Sequence, residues 1–164
     1  LGSAQLQAET DALTGLLNRR SLETKAAQVL ASSRVASLAM ADLDHFKRLN
    51  DTHGHAGGAR ALRTFAQVLR STLRPGDVIA RYGGEEFTIL LADCSADQAS
   101  QALERVRMAL ATRCADGEGP AFTASFGLCE FPRHGDDLES LLRVADKSLY
   151  QAKEAGRDRV SLAH

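Results

Sequence analysis

Apolar residues recur every three or four positions in some stretches of the chain and run almost without interruption in others. The first pattern is typical of helices and covers residues 18–33, 55–74, 95–113 and 136–156. The second is enriched in β-branched and aromatic residues, and predicts strands over residues 35–44, 77–82, 86–92, 122–131 and 158–163. Ser95 stands where an N-cap is expected, and Gly156 stands where a helix usually stops.

The order of these elements predicts the fold class. Helices and strands alternate, as in α/β proteins, but the strands at 77–82 and 86–92 are close enough to form a hairpin. We therefore expect an α+β mixed sheet, ferredoxin-like and mostly antiparallel, with helices packed against it. Residues 1–10 are expected to be a lead-in, with a vector-derived remnant at 1–3, and residues 11–164 to form one domain.

The tip of the predicted hairpin carries an unusual group, Gly83, Gly84, Glu85 and Glu86. Its simplest interpretation is an ordinary turn, because a Gly-Gly pair tolerates the positive φ values that tight turns need. A second interpretation is functional. Without Cβ atoms, the turn would let a ligand lie against the backbone beside two carboxylates.

Further carboxylates follow the strand at 35–44. Asp42 and Asp44 share one face, because residues two apart in an extended chain point the same way. Asp42 and Glu85 would come from neighbouring strand ends. Two carboxylates there repel each other unless they are far apart or a cation lies between them. Hard oxygen ligands of this kind suit Mg²⁺ or Mn²⁺, completed by phosphate oxygens and water. For Asp44 the alternative is to support Asp42 through hydrogen bonds.

Candidate phosphate ligands stand at two further places. Lys47 and Asn50 follow Asp42 closely, while Lys153 and Arg157 are four residues apart in the last predicted helix and would share one helix face. Metal, lysine and arginine together would make a clamp for a triphosphate. The alternative for Lys153 and Arg157 is a solvated helix end stabilised by the helix dipole.

Composition narrows the function classes. The 164 residues are 44% hydrophobic and 25% charged, as in a globular domain. With 20 Lys and Arg against 21 Asp and Glu, no binding to nucleic acid or to an anionic membrane is expected. The three cysteines form neither a CxxC pair nor a zinc pattern. No signal peptide or long apolar span is evident, so we expect a cytoplasmic location, either alone or as the cytosolic part of a membrane-bound protein.

Five stretches, in this order, resemble a GGDEF domain, the catalytic domain of diguanylate cyclases. They are DALTGLLNRR at 11–20, DLDHFKRLNDTHGHAGG at 42–58, RYGGEEF at 81–87, FTASFGL at 122–128 and ADKSLYQAKEAGRDRV at 145–160. The resemblance implies a fold like the palm of nucleotidyl cyclases. It also implies a reaction in which two GTP molecules condense to cyclic di-GMP and release two pyrophosphates.

The resemblance implies roles for individual residues. The metal ligands, for two Mg²⁺ or Mn²⁺ ions, would be Asp42, the carbonyl of Leu43, and Glu85; Glu86 is grouped with Asp42 and Glu85 as a catalytic acid. The residues that would contact GTP are Lys47, Lys153 and Arg157 at the β- and γ-phosphates, Asn50 at the guanine edge, and Gly83 and Gly84 near the ribose. Each domain binds one GTP, so a homodimer is implied, together with an upstream sensor or regulatory domain.

Two positions depart from the family pattern. Ala59 stands where the family has an Asp that reads guanine, and Asp158 stands where the family commonly has Asn. Alanine cannot accept the guanine N1–H and N2–H hydrogen bonds, and a charge-assisted bond is worth roughly 1.5–3 kcal/mol, or about 10- to 150-fold in affinity. A cyclase with Ala59 is therefore expected to be slower or less selective for guanine.

A second ligand site is implied by RPGD at 74–77. Arg74 and Asp77 fall where the family's inhibitory product site, RxxD, lies, and Arg105 falls where some members supply another arginine to the product. The alternative is a local turn with an ion pair of little energetic value. Two function classes thus stay open: a diguanylate cyclase, favoured by the retained catalytic residues, and a cyclase-like receptor for cyclic di-GMP, favoured by Ala59 beside an intact RxxD. A mixed-sheet domain without a nucleotide role is a distant third.

Overall fold

The structure is a computed structural model that describes residues 8–117 and 119–164. The helices are α1 (Arg19–Ser32), α2 (Phe46–Thr72), α3 (Ala96–Ala115) and α4 (Leu138–Glu154), and the strands are β1 (Ala36–Leu43), β2 (Val78–Arg81), β3 (Glu86–Ala92), β4 (Ala124–Phe131) and β5 (Val160–Leu162). Each element that the hydrophobic pattern predicts is present. The proposed remnant at 1–3 and most of the lead-in lie outside the described residues, and the domain boundary at residue 11 stays a prediction.

The sheet has the order β2-β3-β1-β4-β5. β1 pairs antiparallel with β3 on one side and with β4 on the other, and β2 pairs antiparallel with β3. Among the paired strands in the described part of the chain, β4 and β5 alone run parallel. The predicted α+β fold, a mixed and mostly antiparallel sheet flanked by helices, is confirmed.

Helices cover both faces of the sheet, and β1 is therefore buried on both sides along its whole length. Leu38 and Met40 join a core cluster with residues of α1 and α4. Ala39 and Ala41 join the other cluster, in which α2 and α3 supply most of the helical side chains. The central strand therefore ends between two helical layers, and Asp42 and Asp44 emerge there.

Polar side chains fix three of the helix starts. Asn18 accepts a hydrogen bond from the Ser21 N–H at 2.9 Å, and Asp137 accepts one from the Ser140 N–H at 2.8 Å. The predicted N-cap Ser95 forms a capping box with Gln98. These caps fix the residues at which α1, α3 and α4 begin.

Helix α2 begins earlier than the sequence pattern predicts. Its first turns run from Phe46 to a kink at Gly54, where φ is 74° and ψ is 176°. Residues 45–54 are mostly polar and lack a clear apolar period, so the sequence pattern does not predict a helix there. Lys47 and Asn50 therefore lie on a helical turn directly after β1.

Helix α4 packs unusually close to β4. A Cβ atom on Gly127 would lie 2.1 Å from the Ala145 carbonyl oxygen and 2.2 Å from the Leu149 nitrogen, so no other residue fits without moving the helix. This close approach carries the last turn of α4, with Lys153, toward the end of β1. The position of Lys153 is thus influenced by backbone contacts one and two turns earlier on the same helix.

One sequence expectation about α4 is wrong. The helix ends at Glu154, and Gly156 adopts φ 126° at the expected stop position. Arg157 follows with φ 62°, outside the helix, so it does not share a helix face with Lys153. Helical spacing does not apply across a left-handed stop, and the structure instead places Arg157 in the connection to β5.

No helix in the described part of the chain has the length and apolar character needed to cross a membrane. The three cysteines, Cys94, Cys114 and Cys129, are free. Burial raises the pKa of the Cys129 thiol to about 12, so this residue behaves as a small core side chain.

Candidate active site

Asp42 lies at the centre of the site, at the end of the central strand. Its side chain is buried, and its Oδ2 atom accepts a hydrogen bond from the Lys153 ammonium group, with which it forms an ion pair. Lys153 comes from the last turn of α4. The predicted proximity of Asp42 and Lys153, which are separated by most of the chain, is therefore present in the fold.

The second oxygen of Asp42 is unusual. Within residues 8–117 and 119–164, its buried Oδ1 atom has no hydrogen-bond partner. Burial raises the pKa of the Asp42 carboxyl, the Asp44 charge adds to that rise, and Lys153 opposes it. A buried carboxylate oxygen without a partner is costly, which marks this atom as one that a cation or a donor could satisfy.

Glu85 and Glu86 lie beside Asp42 across the strand pair. Glu86 is the register partner of Asp42, and the Leu43 N–H donates to the Glu85 carbonyl oxygen at 3.4 Å. Both glutamates have raised pKa values, first because of burial and next because of the Asp42 charge. Mutual repulsion at one end of the sheet is the electrostatic signature that a bound cation would relieve.

Asp44 has a different role from Asp42. Its Oδ1 atom accepts from the Ser125 hydroxyl at 2.6 Å, and its Oδ2 atom accepts from the Thr123 hydroxyl at 2.6 Å and from the Asp158 N–H at 3.0 Å. Both oxygens are thus used within the protein. The supporting role left open for Asp44 in the sequence is the one that these contacts favour.

The Gly83–Gly84 turn differs from the simple turn interpretation. Neither glycine has a positive φ, so the left-handed backbone expected of a Gly-Gly turn is not used. A Cβ on Gly83 would lie 2.7 Å from a carboxylate oxygen of Glu86, while a Cβ on Gly84 would meet nothing within 4 Å among the described residues. Gly84 therefore faces open space next to the acidic group, as the functional interpretation requires.

An arginine holds the turn in place. The Arg81 guanidinium donates to the Gly84 carbonyl oxygen at 2.7 Å and 3.1 Å, and pairs with Asp11 at 3.2 Å. Asp11 is itself bound to the Thr14 N–H and hydroxyl. Asp11 and Arg81 both lie in motifs that resemble the family, but nothing in their spacing predicts a contact between residues so distant in sequence.

Asn50 and Ala59 lie on either side of the kink in α2. The Oδ1 atom of Asn50 is buried, has no hydrogen-bond partner in the described structure, and would lie 1.8 Å from a Cβ on Gly58. Ala59 follows Gly58 and is partly exposed, and Lys47 is exposed on the first turn of α2. The helical start of α2 thus places Lys47 and Asn50 close to the end of β1.

Two charged residues near the acidic group were missed by sequence reasoning. The charge of Asp146 raises the pKa of Glu86. Burial raises the pKa of Asp146 itself, and Lys153 opposes that rise. Arg19 lowers the pKa of Glu86 and stacks on Tyr82, with 4.3 Å from its guanidinium carbon to the ring centroid. Asp146 could have been found, because it lies two helical turns before Lys153; Arg19 carried no such signal.

The residues of the RxxD site also meet in space. Arg74, Asp77 and Arg105 line one pocket of about 300 Å³ between the end of α2 and α3. Asp77 is nearly buried and accepts from the Arg74 N–H at 2.9 Å and from its guanidinium at 3.1 Å. The Arg74 side chain is 61% exposed, and its guanidinium also donates to the Ala92 carbonyl oxygen at 2.9 Å.

No group of three His, Cys, Asp or Glu side chains in residues 8–117 and 119–164 forms a ready-made metal cage. The acidic group still fits Mg²⁺ or Mn²⁺, because Mg²⁺ is usually held by one or two carboxylates with substrate phosphates and water. Asp42 supplies a buried oxygen without a partner, and Glu85 a second carboxylate at the neighbouring strand end.

A mixed sheet with helices on both faces, and carboxylates gathered beside a glycine turn, is the arrangement of a nucleotidyl-cyclase palm. The model of the family "Diguanylate cyclase, GGDEF domain" matches residues 8–159. The chain belongs to the GGDEF domain family of diguanylate cyclases.

Named relatives and solved structures agree with this assignment. The chain is 43% identical to diguanylate cyclase DgcP of Pseudomonas aeruginosa over 96% of its length, and 40% identical to VdcA of Vibrio cholerae over 98%. It covers 24% and 48% of those relatives, respectively. Among structures, the GGDEF domain of DgcB from Caulobacter crescentus in complex with c-di-GMP has a TM-score of 0.86 at 34% identity, covering 96% of this chain and 94% of that one. Diguanylate cyclase SiaD, with its activator SiaC from P. aeruginosa, has a TM-score of 0.88 at 37% identity, covering 98% and 64%.

Proposed function

We propose that this domain condenses two GTP molecules to cyclic di-GMP, with release of two pyrophosphates. The observation that carries the proposal is the convergence of Asp42, Glu85 and Lys153 at one end of the sheet. In the reaction, the ribose 3′-oxygen of each GTP bonds to the α-phosphorus of the other, its proton is released, and each α–β phosphoanhydride bond breaks. The family membership and the relatives named diguanylate cyclases support the same reaction class.

Asp42, Glu85 and the Leu43 carbonyl are the oxygen ligands that we assign to two Mg²⁺ or Mn²⁺ ions. When bound, such ions lower the pKa of a hydroxyl and offset the charge that develops on a phosphate. The unpartnered Oδ1 atom of Asp42 supports this assignment. Glu86 lies in register with Asp42, and we place it as the second acid of the motif, which adjusts the charge at Asp42.

Lys47, Lys153 and Arg157 are the cations that we assign to the β- and γ-phosphates. The ion pair with Asp42 fixes the Lys153 ammonium group in place. A phosphate group would therefore meet a cation that is already positioned. Lys47 lies on the first turn of α2, and Arg157 lies in the connection between α4 and β5. Three cations from three separate elements would bind phosphate groups from different directions.

Guanine recognition is the weaker part of the site. Asn50 is the residue that we assign to the guanine edge, and the open backbone of Gly84, next to Gly83, to the ribose. Ala59 leaves the guanine N1–H and N2–H groups without the carboxylate that the family pattern supplies. We therefore propose a cyclase with reduced preference for guanine over adenine or with a reduced rate.

Each domain holds one substrate, so two copies of the chain must face each other for the reaction to occur. The chain spans only about a quarter to a half of the relatives DgcP and VdcA. We propose that an upstream sensor or regulatory domain controls this pairing. SiaD, solved with its activator SiaC, is a relative whose structure includes a protein partner.

Incubation of the protein with GTP and Mg²⁺, followed by chromatography of the products, tests the proposal. We expect one cyclic di-GMP for every two pyrophosphates, at a rate that rises more steeply than linearly with protein concentration, because two domains must meet. Failure to form cyclic di-GMP at the highest protein concentration and with either Mg²⁺ or Mn²⁺ would remove the cyclase assignment.

A second function, as a receptor for cyclic di-GMP, is favoured by the pocket that contains Arg74, Asp77 and Arg105. Exposed guanidinium groups can bind a phosphate through two hydrogen bonds or lie against a guanine. Calorimetry with the Arg74→Ala variant should show weaker binding of cyclic di-GMP and unchanged binding of GTP. If Arg74→Ala binds cyclic di-GMP as well as the unmodified protein does, Arg74 and Asp77 form only a local turn with an ion pair and not a ligand site.

A further inference from the structure

The connection between α4 and β5 has an uncommon backbone. Gly156, Arg157 and Asp158 have φ values of 126°, 62° and 48° in succession. Residues other than glycine rarely adopt this region, and they remain there only where the surrounding structure holds them. The 156–159 segment, which carries Arg157, is therefore held by contacts outside its own backbone preferences.

Backbone hydrogen bonds tie the 156–159 segment to its surroundings. The Arg157 N–H donates to the Ala152 carbonyl oxygen at 2.9 Å, and the Arg159 carbonyl oxygen accepts from the Phe126 N–H of β4 at 2.9 Å. Within the segment, the Arg159 guanidinium donates to the Arg157 carbonyl oxygen at 2.9 Å. The Asp158 N–H donates to the Asp44 carboxylate at 3.0 Å. Only this last bond connects the segment to the residue that follows β1 and Asp42.

A side chain from another helix holds the segment from outside. Arg107 on α3 contacts the Oδ1 atom of Asp158 through Nε at 3.2 Å and Nη2 at 3.1 Å. Arg107 is itself paired with Glu104, one turn earlier on α3, and is only 21% exposed. Its guanidinium is thus oriented before it meets Asp158, which reduces the entropy lost on pairing.

We infer that Arg107 is a positioning residue for the candidate active site, acting through Asp158 on Arg157. Arg107 does not touch the acidic group; it fixes the side chain of the residue whose backbone N–H is bound to Asp44. Holding Asp158 at both ends keeps the left-handed pair Arg157–Asp158 in one conformation. Arg157 is thereby held ready for a phosphate group, a role that rests on the proposed function.

The charge of Asp158 strengthens this arrangement. An Asn at this position could accept a hydrogen bond from an arginine but would form no ion pair. With Asp, the contact becomes a charge-assisted pair in which one carboxylate oxygen receives two donors from Arg107.

The Arg107→Gln variant tests the inference, with Arg143→Gln as the matched control. Arg143 also pairs with a glutamate on its own helix, but its side chain is 70% exposed, and among the described residues it forms no ion pair with the 156–159 segment. Two measurements are needed: hydrogen exchange of the amides in residues 156–159, and the kinetics of GTP turnover with Mg²⁺. For Arg107→Gln we expect faster exchange and a KM for GTP raised by about tenfold, with kcat lowered by less than about threefold, because ground-state binding is lost. Arg143→Gln should change neither.

A double variant separates positioning from a general structural effect. In the Arg157→Ala background, Arg107→Gln should raise KM no further, since its effect passes through Arg157. The inference would be overturned if Arg107→Gln raised the KM further in the Arg157→Ala background. It would also be overturned if Arg107→Gln alone had the same KM and the same exchange rate as Arg143→Gln. If the unmodified protein neither binds nor converts GTP, the proposed function falls, and the exchange rate of Arg107→Gln then decides alone whether Arg107 holds the segment.

Discussion

Asp42 and Asp44 show how the surroundings of a residue decide its role. The two side chains are two positions apart, are equally buried and carry the same carboxyl group. Asp44 has two hydroxyl donors and a backbone donor, so its charge is satisfied within the protein. Asp42 has one cationic partner and one oxygen without any in the described structure, which suits it to bind something else.

Replacing Ala59 with Asp tests the guanine assignment. The new carboxylate would accept the guanine N1–H and N2–H hydrogen bonds, so the affinity for GTP relative to ATP should increase about tenfold or more. Ala59 is partly exposed, so the added carboxylate has room to reach solvent in the free protein. Competition binding of the two nucleotides measures the ratio.

The matched control is Ala56→Asp, which adds the same charge to an exposed position of the same helix, one turn earlier. It should leave the ratio of GTP to ATP affinity unchanged. Equal ratios for Ala59→Asp and Ala56→Asp would mean that Asn50 or another residue already selects the base.

His134 predicts a specific pH dependence of stability. Its Nδ1 atom accepts from the Glu130 N–H at 2.9 Å, and its pKa is lowered, first by burial and next by the Arg133 charge. Because the pKa of His134 is lower in the folded protein, the unfolded chain binds the proton more readily. The contribution of neutral His134 to the free energy of unfolding is therefore present above the ordinary histidine pKa of about 6.5. It is lost as the pH falls through the folded pKa. Urea unfolding of His134→Gln should lack this loss, whereas the exposed-site variant His55→Gln should retain it. An identical pH profile for His134→Gln and the unmodified protein would contradict the assignment.

At the scale of the element, the β2–β3 hairpin shows how one turn serves two purposes. The turn is held by Arg81, which donates to the Gly84 carbonyl oxygen. It is also held by two backbone hydrogen bonds, from the Tyr82 and Gly83 N–H groups to the Glu86 carbonyl oxygen. Gly84, one residue further, faces open space. The fixed part of the turn supports the strand register, and the open part is available to a ligand.

The Gly84→Ala variant tests that division. Because a Cβ there meets no protein atom in the described structure and φ is not positive, the melting temperature should stay within about 2 °C of the unmodified protein. GTP binding should weaken by about tenfold, since the methyl group would occupy the space we assign to the ribose. Thermal unfolding and calorimetry make the two measurements.

Gly76→Ala is the control for this variant, because a Cβ on Gly76 also meets nothing within 4 Å among the described residues and lies in a turn of the chain away from the acidic group. It should affect neither the melting temperature nor GTP binding. Unchanged GTP affinity in Gly84→Ala would place the ribose elsewhere.

The elements themselves could be predicted from the hydrophobic pattern, but some of their ends could not. Strand β3 begins and ends at Glu86 and Ala92, the bounds that the sequence pattern predicts. The start of α2 could not be predicted, because its first turns are polar and a kink at Gly54 separates them from the amphipathic part. The departure of Arg157 from the helix depends on a left-handed stop at Gly156, after which helical spacing no longer describes the chain.

At the scale of the whole molecule, the sheet order brings the site together. β1 lies between β3 and β4, so the acidic end of β1 meets the hairpin on one side and the residues that bind Asp44 on the other. The positions of Asp42, Glu85 and Lys153 could be expected from strand ends and family resemblance. The contributions of Asp11, Arg81 and Arg107 could not, because each depends on contacts between elements that lie far apart in sequence.

The rate of cyclic di-GMP formation by the Asp42→Asn variant tests the central claim most directly. The substitution keeps the shape of the side chain and removes the charge that we assign to the metal, so the rate at saturating GTP and Mg²⁺ should fall by about 100-fold or more while the fold is kept. Asp51→Asn, which neutralises an exposed carboxylate on the first turns of α2, should leave the rate unchanged. Production of cyclic di-GMP by Asp42→Asn at the rate of the unmodified protein would contradict the account.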